Sequence, residues 1–525
     1  MSIDILAAGI QGKIVRRVDE LYGSSIYQYA WSTYKETLVD PDAVVYPAGD
    51  ADVIAAIGYA KSHSIGIAIR TGGHHYTGAS STTGKNLQLD LNDTYTDFII
   101  DPIDSTIVTV GISTTLIKFM DKLKQHGLFV PAGQCSYVNL GGHVQTGGYG
   151  HLIRSFGLFS DHVQAVRIIT ANGQIQWVER GVAADKELFF AILGGSPGNF
   201  GVITDLRLKV HRDQDHPKSR GLFGKVLYTP ELFKALADIM VAEEKTDEQP
   251  ADFDYTLTVL SARPVEGKLV PGIVVFVQWA NLEGESQDYD PSFFQKIKDA
   301  IGAPMIPHEG SALNDVEVPM STLCSFWVFP IAREFQLPYF KRTYITESRT
   351  LEQDGWSSWV TGRLNEYILD PLDQHHISAQ YTYLGGKHSR FRIQDPNDDM
   401  SFSWRRDSTF VCTMDIFYDP TGSNAKKKAQ DWVEKNDAEG VGSKNGKYSK
   451  EDRRLLWGSR DTDLPAAHAH YYDSEAKYQA LVQTKKKVDP NLVFTANKFA
   501  VGDYRSDSFL PQIADNSWVC GCILA

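Results

Sequence analysis

The sequence predicts an α+β protein with two main domains, on three observations. Strand-like and helix-like stretches alternate between residues 43 and 124. From about 221 to 465, strands and helices follow one another without strict alternation, which suggests an antiparallel sheet covered by helices on one face. Between these regions His211 to Arg220 is polar and charged. A chain of 525 residues accommodates this division. The expected boundaries are 38–213 and 221–465, with a last segment at 466–502.

In order, Ala43 to Pro47 reads as a strand, and Asp50 can cap a helix carrying Val53, Ile54 and Ile57. Ile65 to Arg70, Leu87 to Leu91 and Thr106 to Val110 are further strands. A helix begins near Ser113, buries Leu116, Ile117, Met120 and Leu123, and ends at Gly127. Val163 to Thr170 and Gln174 to Val178 flank Asn172-Gly173 as a hairpin. Glu187 to Leu193 is helical, and a strand ends at Val210. In the second domain, strands are expected at Tyr255–Leu260, Gly272–Trp279, Ile377–Leu384 and Thr409–Tyr418. Helices are expected at Pro230–Val241, Pro291–Ile301 and Lys426–Asn436. Ser474 caps a helix that Lys485, Lys486 and Lys487 finish, where the dipole favours cations.

The chemistry concentrates in Pro131–Gly150, PAGQCSYVNLGGHVQTGGYG. Gly141-Gly142 and Gly147-Gly148 let main chain approach a ligand closely, and Cys135 stands beside them. An anionic cofactor held by main chain, with a thiol alongside, is one reading. A surface loop with a structural cysteine is the other. Arg70 to Tyr76, RTGGHHY, is a second glycine-rich turn, directly after a strand, and His74 in it is a candidate covalent tether.

Other classes are disfavoured. The net charge of −13 argues against a nucleic-acid or anionic-membrane partner. Five cysteines without a CxxC pair predict neither a disulfide framework nor a zinc ribbon. Gly194–Gly198 fits GxSxG, but Pro197 after the serine lacks the N–H that a hydrolase oxyanion hole needs. No GxGxxG opens a helix. Adjacent histidines on a strand face opposite ways, and His468/His470 have no carboxylate motif nearby, so no metal is expected. The N-terminal stretch lacks a signal-peptide pattern, which gives a cytoplasmic expectation. Cys522-Ile523-Leu524-Ala525 fits a prenylation box, with Cys520 as a second lipid site, but no polybasic run precedes it and a membrane partner is not expected.

Together these segments resemble the flavoproteins of the vanillyl-alcohol-oxidase (PCMH-type) superfamily, in its berberine-bridge-enzyme-like branch. The resemblance rests on Arg70–His74 (R-x-G-G-H), Pro131–Gly150 (P-A-G-x-C, then G-G-H-x-x-x-G-G-Y-G) and Phe156–Asp161 (F-G-L-x-x-D). Gly198–Thr204 (G-x-F-G-V-x-T) and, in part, Val488-Asp489-Pro490 with Phe494 complete it. It covers about residues 38–213 and 468–500 and departs at Ser196-Pro197. It implies a two-subdomain FAD-binding domain at 38–213, a substrate domain at 221–465 and a segment at 466–502 that returns to the first.

The resemblance implies bicovalent FAD, with His74 on the 8α-methyl carbon and Cys135 on C6 of the ring. It implies a cofactor cradle of Arg70, Thr71, Gly72, Gly73, His75, Gly141, Gly142, His143, Gly147, Gly148, Tyr149, Gly201 and Val202. Hydride transfer also needs a proton acceptor. Plant members carry a glutamate where this chain has Thr413, with Asp415 two residues on and on the same strand face. Sugar-oxidising members use a tyrosine near a segment that reads here as His468-Ala469-His470-Tyr471. Tyr471 is therefore the expected base, with Asp415 or His470 lowering its pKa; a structural tyrosine and an outward aspartate are the other reading. Leu140 falls where the family controls oxygen access, and its bulk suggests a dehydrogenase.

The implied activity is oxidation of an alcohol or aromatic secondary metabolite, with oxygen or another electron acceptor. The alternatives are an oligosaccharide oxidase or dehydrogenase acting at the reducing end, and a catalytically silent flavin-binding homologue. Aromatic residues at Trp404, Phe417, Tyr418 and Tyr471 favour the first.

Overall fold

The computed structural model describes residues 5–29, 39–246, 249–265, 268–308, 310–328, 337–351, 355–370, 372–393, 399–441, 446–458, 460–461, 463–494 and 496–504. Residue 38 and the cysteines at 520 and 522 lie outside the described residues, and with them the prenylation box. No helix among the described residues is long and apolar enough to cross a membrane.

The first region builds two sheets. Ala43–Tyr46, Leu87–Asp90 and Ile67–Arg70 are parallel neighbours, with Lys13–Arg16 antiparallel on the outer edge. The second sheet is antiparallel, in the order Phe98–Ile100, Ile107–Gly111, Val202–Lys209, Val163–Ile169, Ile175–Glu179. The helix Leu116–Lys124 buries Leu116, Phe119, Met120 and Leu123, while Ile117 is half-buried. The helix Asp50–Ser62 takes Gly49 as its cap. Asp50 pairs with Arg167 instead and accepts a hydrogen bond from Tyr95, so the sequence-level cap becomes a tie between helix and sheet.

The second region is one seven-stranded antiparallel sheet. Its order is Leu313–Glu317, Arg220–Leu227, Lys268–Trp279, Phe253–Val265, His375–Tyr383, Ser408–Tyr418, Tyr339–Glu347. Period-two alternation divides its residues between two faces. Tyr255, Leu257, Val275, Tyr381, Cys412 and Met414 pack under helices Pro230–Thr246, Ser292–Ile301, Trp356–Asn365 and Ala425–Gly440. The alternate residues, among them Thr258, Phe276, Gln380, Thr413 and Asp415, turn toward the first region. The strands Arg220–Leu227, Leu313–Glu317 and Tyr339–Glu347 and the helices Met320–Trp327 and Trp356–Asn365 were not anticipated.

Buried charge joins the regions. Arg154 is fully buried and donates to the carbonyls of Gln249 (2.7 Å), Pro250 (2.5 Å), Phe253 (2.8 Å) and Gly385 (2.8 Å). Asp161 receives a two-pronged contact from Arg405, at 2.6 and 2.9 Å. The last segment packs on the first region: the Ile67 N–H donates to the Val493 carbonyl (2.7 Å), and the Val501 N–H to Asn199 Oδ1 (2.9 Å). Lys485 lies in the last turn of the helix Glu475–Val488, as expected, and is buried there, paired with Asp489 at 2.6 Å and donating to the Asn199 and Phe494 carbonyls.

Among the described residues burial lowers the pKa of His143 to about 4 and of His151 to about 3, and that of His162, His211, His216, His376 and His470 in the same direction. A base with a depressed folded pKa stabilises the fold fully above its unfolded value of about 6.5 and progressively less as pH falls toward the folded value. Asp90, Asp205 and Asp254 are raised by burial, Asp254 to about 7, and act with the opposite sign. The histidines prevail between pH 7 and 5, where a fully buried neutral one costs about 1.4 kcal/mol per pH unit below about 6.5. Tm is expected to fall steadily over that range in a calorimetric series; a flat or rising Tm contradicts this assignment.

Candidate active site

One cavity of about 330 Å³ lies between the glycine-rich segments and the open face of the large sheet. The strand Ile67–Arg70 delivers Thr71, Gly72, Gly73, His74 and His75 into its wall. His74 stacks on Tyr29, with ring centroids 3.8 Å apart. The loop before the helix Leu140–Gln145 delivers Cys135. The first N–H groups of the helix Leu116–Lys124 hold that loop, Leu116 donating to the Val138 carbonyl (2.8 Å) and Ile117 to that of Ser136 (3.2 Å). From across the cavity Gln380 Nε2 donates to Gln134 Oε1 at 2.9 Å and to Thr258 Oγ1 at 3.0 Å. The Gly133 N–H donates to His143 Nε2 at 3.1 Å, which fixes the acceptor nitrogen of that neutral ring.

Of the residues named from sequence, His74, Cys135, Thr71, Gly72, Gly73, His75, Gly141, Gly142, His143, Tyr149 and Gly201 line the cavity. Arg70, Gly147, Gly148 and Val202 are not in its lining. Arg70 is buried against Asp90 and donates to the Tyr27 and Ser25 carbonyls, so it anchors the N-terminal segment. A Cβ on Gly147 would lie 2.5 Å from the Phe402 ring, and one on Gly148 2.3 Å from the Phe159 Cβ. Both have positive φ, so close packing and left-handed backbone account for them without a ligand. Leu140 is fully buried in the hydrophobic core and absent from the lining, which removes the basis for reading it as an oxygen gate.

The expected base also needs correction. Among Tyr471, His470 and Asp415, only Asp415 lines the cavity. Tyr471 lies on the helix Leu464–Tyr471, buried, donating its hydroxyl to Asp461 at 2.6 Å. Burial and that carboxylate both raise its pKa, the reverse of what a base requires. His470 stands 3.4 Å from Asp452, and burial lowers its pKa. On this helix His468 and His470 point about 200° apart, so they share no face. Phe417 lines the cavity, but Trp404 and Tyr418 do not.

Asp415 instead faces Lys341 directly across the Ser408–Tyr418 and Tyr339–Glu347 strands. Lys341 Nζ is 2.9 and 2.8 Å from its two oxygens. The same ammonium lies 4.5 Å from the Tyr76 ring centroid and 6.0 Å from that of Trp457. Trp457 in turn stacks on Tyr149, 5.5 Å away at 12°. Lys341 was missed because the Tyr339–Glu347 strand was missed, and the alternation Tyr339, Lys341, Thr343 was the available signal; Trp457 sits in the short helical turn Leu456–Gly458, which no sequence pattern marked.

The site fits a large cofactor that supplies both donors and acceptors. Gly142 lines the cavity, and a Cβ built there meets nothing within 4 Å. Asn139 Oδ1, His151 Nε2 and Thr413 Oγ1 are buried at the wall without a hydrogen-bond partner among the described residues. Buried polar atoms are normally satisfied, so these mark where a ligand would bond.

The family model described as FAD binding domain matches residues 41–179, and the one described as berberine and berberine like matches 458–498. The chain therefore carries, in order, two segments similar to those of berberine bridge enzyme-like proteins. A berberine bridge enzyme-like protein of Arabidopsis thaliana is 38% identical over 176 residues, 32% of each chain. The match therefore spans about a third of that relative's length. An FAD-linked oxidoreductase of Dictyostelium discoideum is 26% identical over 413 residues, 76% of this chain and 78% of its own. Among solved structures, berberine bridge enzyme from Eschscholzia californica superposes with a TM-score of 0.72 at 19% identity, covering 95% of this chain and 99% of that one. A chitooligosaccharide oxidase gives 0.70 at 17% identity, covering 95% and 98%. Both likenesses concern the fold alone.

Proposed function

We propose that this protein is an FAD-dependent oxidoreductase that oxidises a small alcohol or aromatic metabolite. The observation that carries this reading is the cavity itself. One wall holds His74 and Cys135 on glycine-rich main chain, and the other presents the Lys341–Asp415 pair. FAD, when bound, supplies the acceptor for the hydride, the electron pair with its hydrogen. His74 and Cys135 would hold it, imidazole and thiolate being the nucleophiles that an electron-poor ring attracts. Asp415 receives the proton that leaves with the hydride, and Lys341 holds that carboxylate against the cavity. Trp457 and Tyr149 form an aromatic wall that excludes water. The electron acceptor in the second half of the cycle is oxygen or another small oxidant.

Leu260, Val274, Phe276, Phe417 and Trp457 in the lining favour an apolar, aromatic substrate. The row Thr258, Gln380 and Thr413 supports a second reading, a carbohydrate oxidised at its reducing end. Anaerobic mixing of the holoprotein with a panel of aromatic alcohols and oligosaccharides tests both. Bleaching of the flavin by aromatic alcohols is the expected result. Bleaching by sugars alone selects the second reading, and no bleaching by any member defeats the reaction class.

A further inference from the structure

We propose that His151 binds a ligand, its Nε2 accepting a hydrogen bond from an N–H or O–H group buried in the cavity. This rests on the flavin reading for the occupant of the cavity, and on the structure for the residue. His151 directly follows Gly150 and is 4% exposed. It stacks on Phe276, 4.6 Å between centroids at 19°, and packs beside Trp327. Its backbone is held by Gln278 Nε2, which donates to its carbonyl at 2.7 Å, and by the neighbouring Arg154 N–H, which donates to Asp254 at 2.7 Å. The ring cannot turn without breaking this packing.

Its tautomer follows from its neighbours. Thr256 Oγ1 donates to Thr382 Oγ1 at 3.1 Å, and a hydroxyl has one hydrogen to give. His151 Nδ1, 3.1 Å from Thr256 Oγ1, is then the donor in their contact. Nε2 is left with its lone pair, buried, without a partner among the described residues, in a residue that lines the cavity. Burial holds the ring's pKa near 3, so it accepts hydrogen bonds at every physiological pH and stays uncharged. From Thr256, which His151 bonds, Asp415 lies two strands away across the sheet and Lys341 three, a span of about 10 to 14 Å at normal strand spacing. His151 therefore belongs to a second polar point of the cavity, distinct from the ionic one.

Two sources offer such a donor, the ring N–H of the cofactor and a hydroxyl of the substrate, and the experiment separates them. Holoproteins carrying His151→Phe and His151→Gln are compared with the parent. In one arm, without substrate, the visible flavin bands and their alkaline transition are recorded. In the other, phenol and anisole are titrated and their Kd values read from perturbation of those bands. A cofactor donor predicts that His151→Phe moves the bands and the transition and that His151→Gln restores them. A substrate hydroxyl predicts unmoved bands, phenol bound about three- to tenfold more weakly by His151→Phe with anisole unaffected, and recovery in His151→Gln. No change in either arm, or a change that glutamine does not reverse, overturns the assignment. A parent protein that purifies without flavin overturns the cofactor reading instead.

Discussion

Replacing His74 and Cys135 together by alanine is expected to release the flavin on denaturation. Acid precipitation of the parent protein should give a yellow pellet, because both links survive loss of fold. Either single variant should stay yellow on its remaining link. The double variant should give a colourless pellet and a yellow supernatant. The expectation rests on two side chains from distant segments, one after the strand Ile67–Arg70 and one before the helix Leu140–Gln145, lining a single cavity. His74→Ala also forfeits its stack on Tyr29, so the melting temperature should be recorded alongside. A colourless parent pellet refutes covalency, and a yellow double-variant pellet shows that another residue carries a bond.

Asp415→Asn should lower kcat by about 100-fold or more, the usual contribution of a positioned base, with flavin content unchanged. Asparagine keeps the size of the side chain but cannot take the proton. Tyr471→Phe, by contrast, should stay within about tenfold of the parent, since its hydroxyl is committed to Asp461 away from the cavity lining. Losing one partner of the part-buried Lys341–Asp415 pair strands the other charge, so stability must be followed too. If Asp415→Asn does not fold, the paired replacement Lys341→Met with Asp415→Leu removes both charges and should fold while remaining inactive. Normal turnover in either variant would remove Asp415 from the reaction.

Much of this site can be read along the chain wherever its chemistry is local. A glycine-rich turn after a strand, with a histidine in it, is a contiguous pattern, and so is Pro131–Gly150 with its cysteine. Strong apolar alternation likewise revealed strands at 255–260 and 409–418 within the longer Phe253–Val265 and Ser408–Tyr418. The strand Tyr339–Glu347 escaped because Lys341, Arg342 and Thr343 interrupt its apolar run, although all three are paired or packed in the fold. His468 and His470 read equally as strand or helix neighbours until Pro465 and the Asp463 cap set them on a helix.

The order of residues was enough to single out the two glycine-rich segments that carry His74 and Cys135, because each is a pattern within about twenty positions; the flavin and its covalent links came from the family resemblance that those segments support. Which carboxylate meets the cavity was beyond its reach. That choice depends on the pairing of Lys341 with Asp415, 74 residues apart, and of Tyr471 with Asp461 on a separate helix. Long-range register sets which side chain points inward and which charge is neutralised, and those two facts distinguish a proton acceptor from a buried strut.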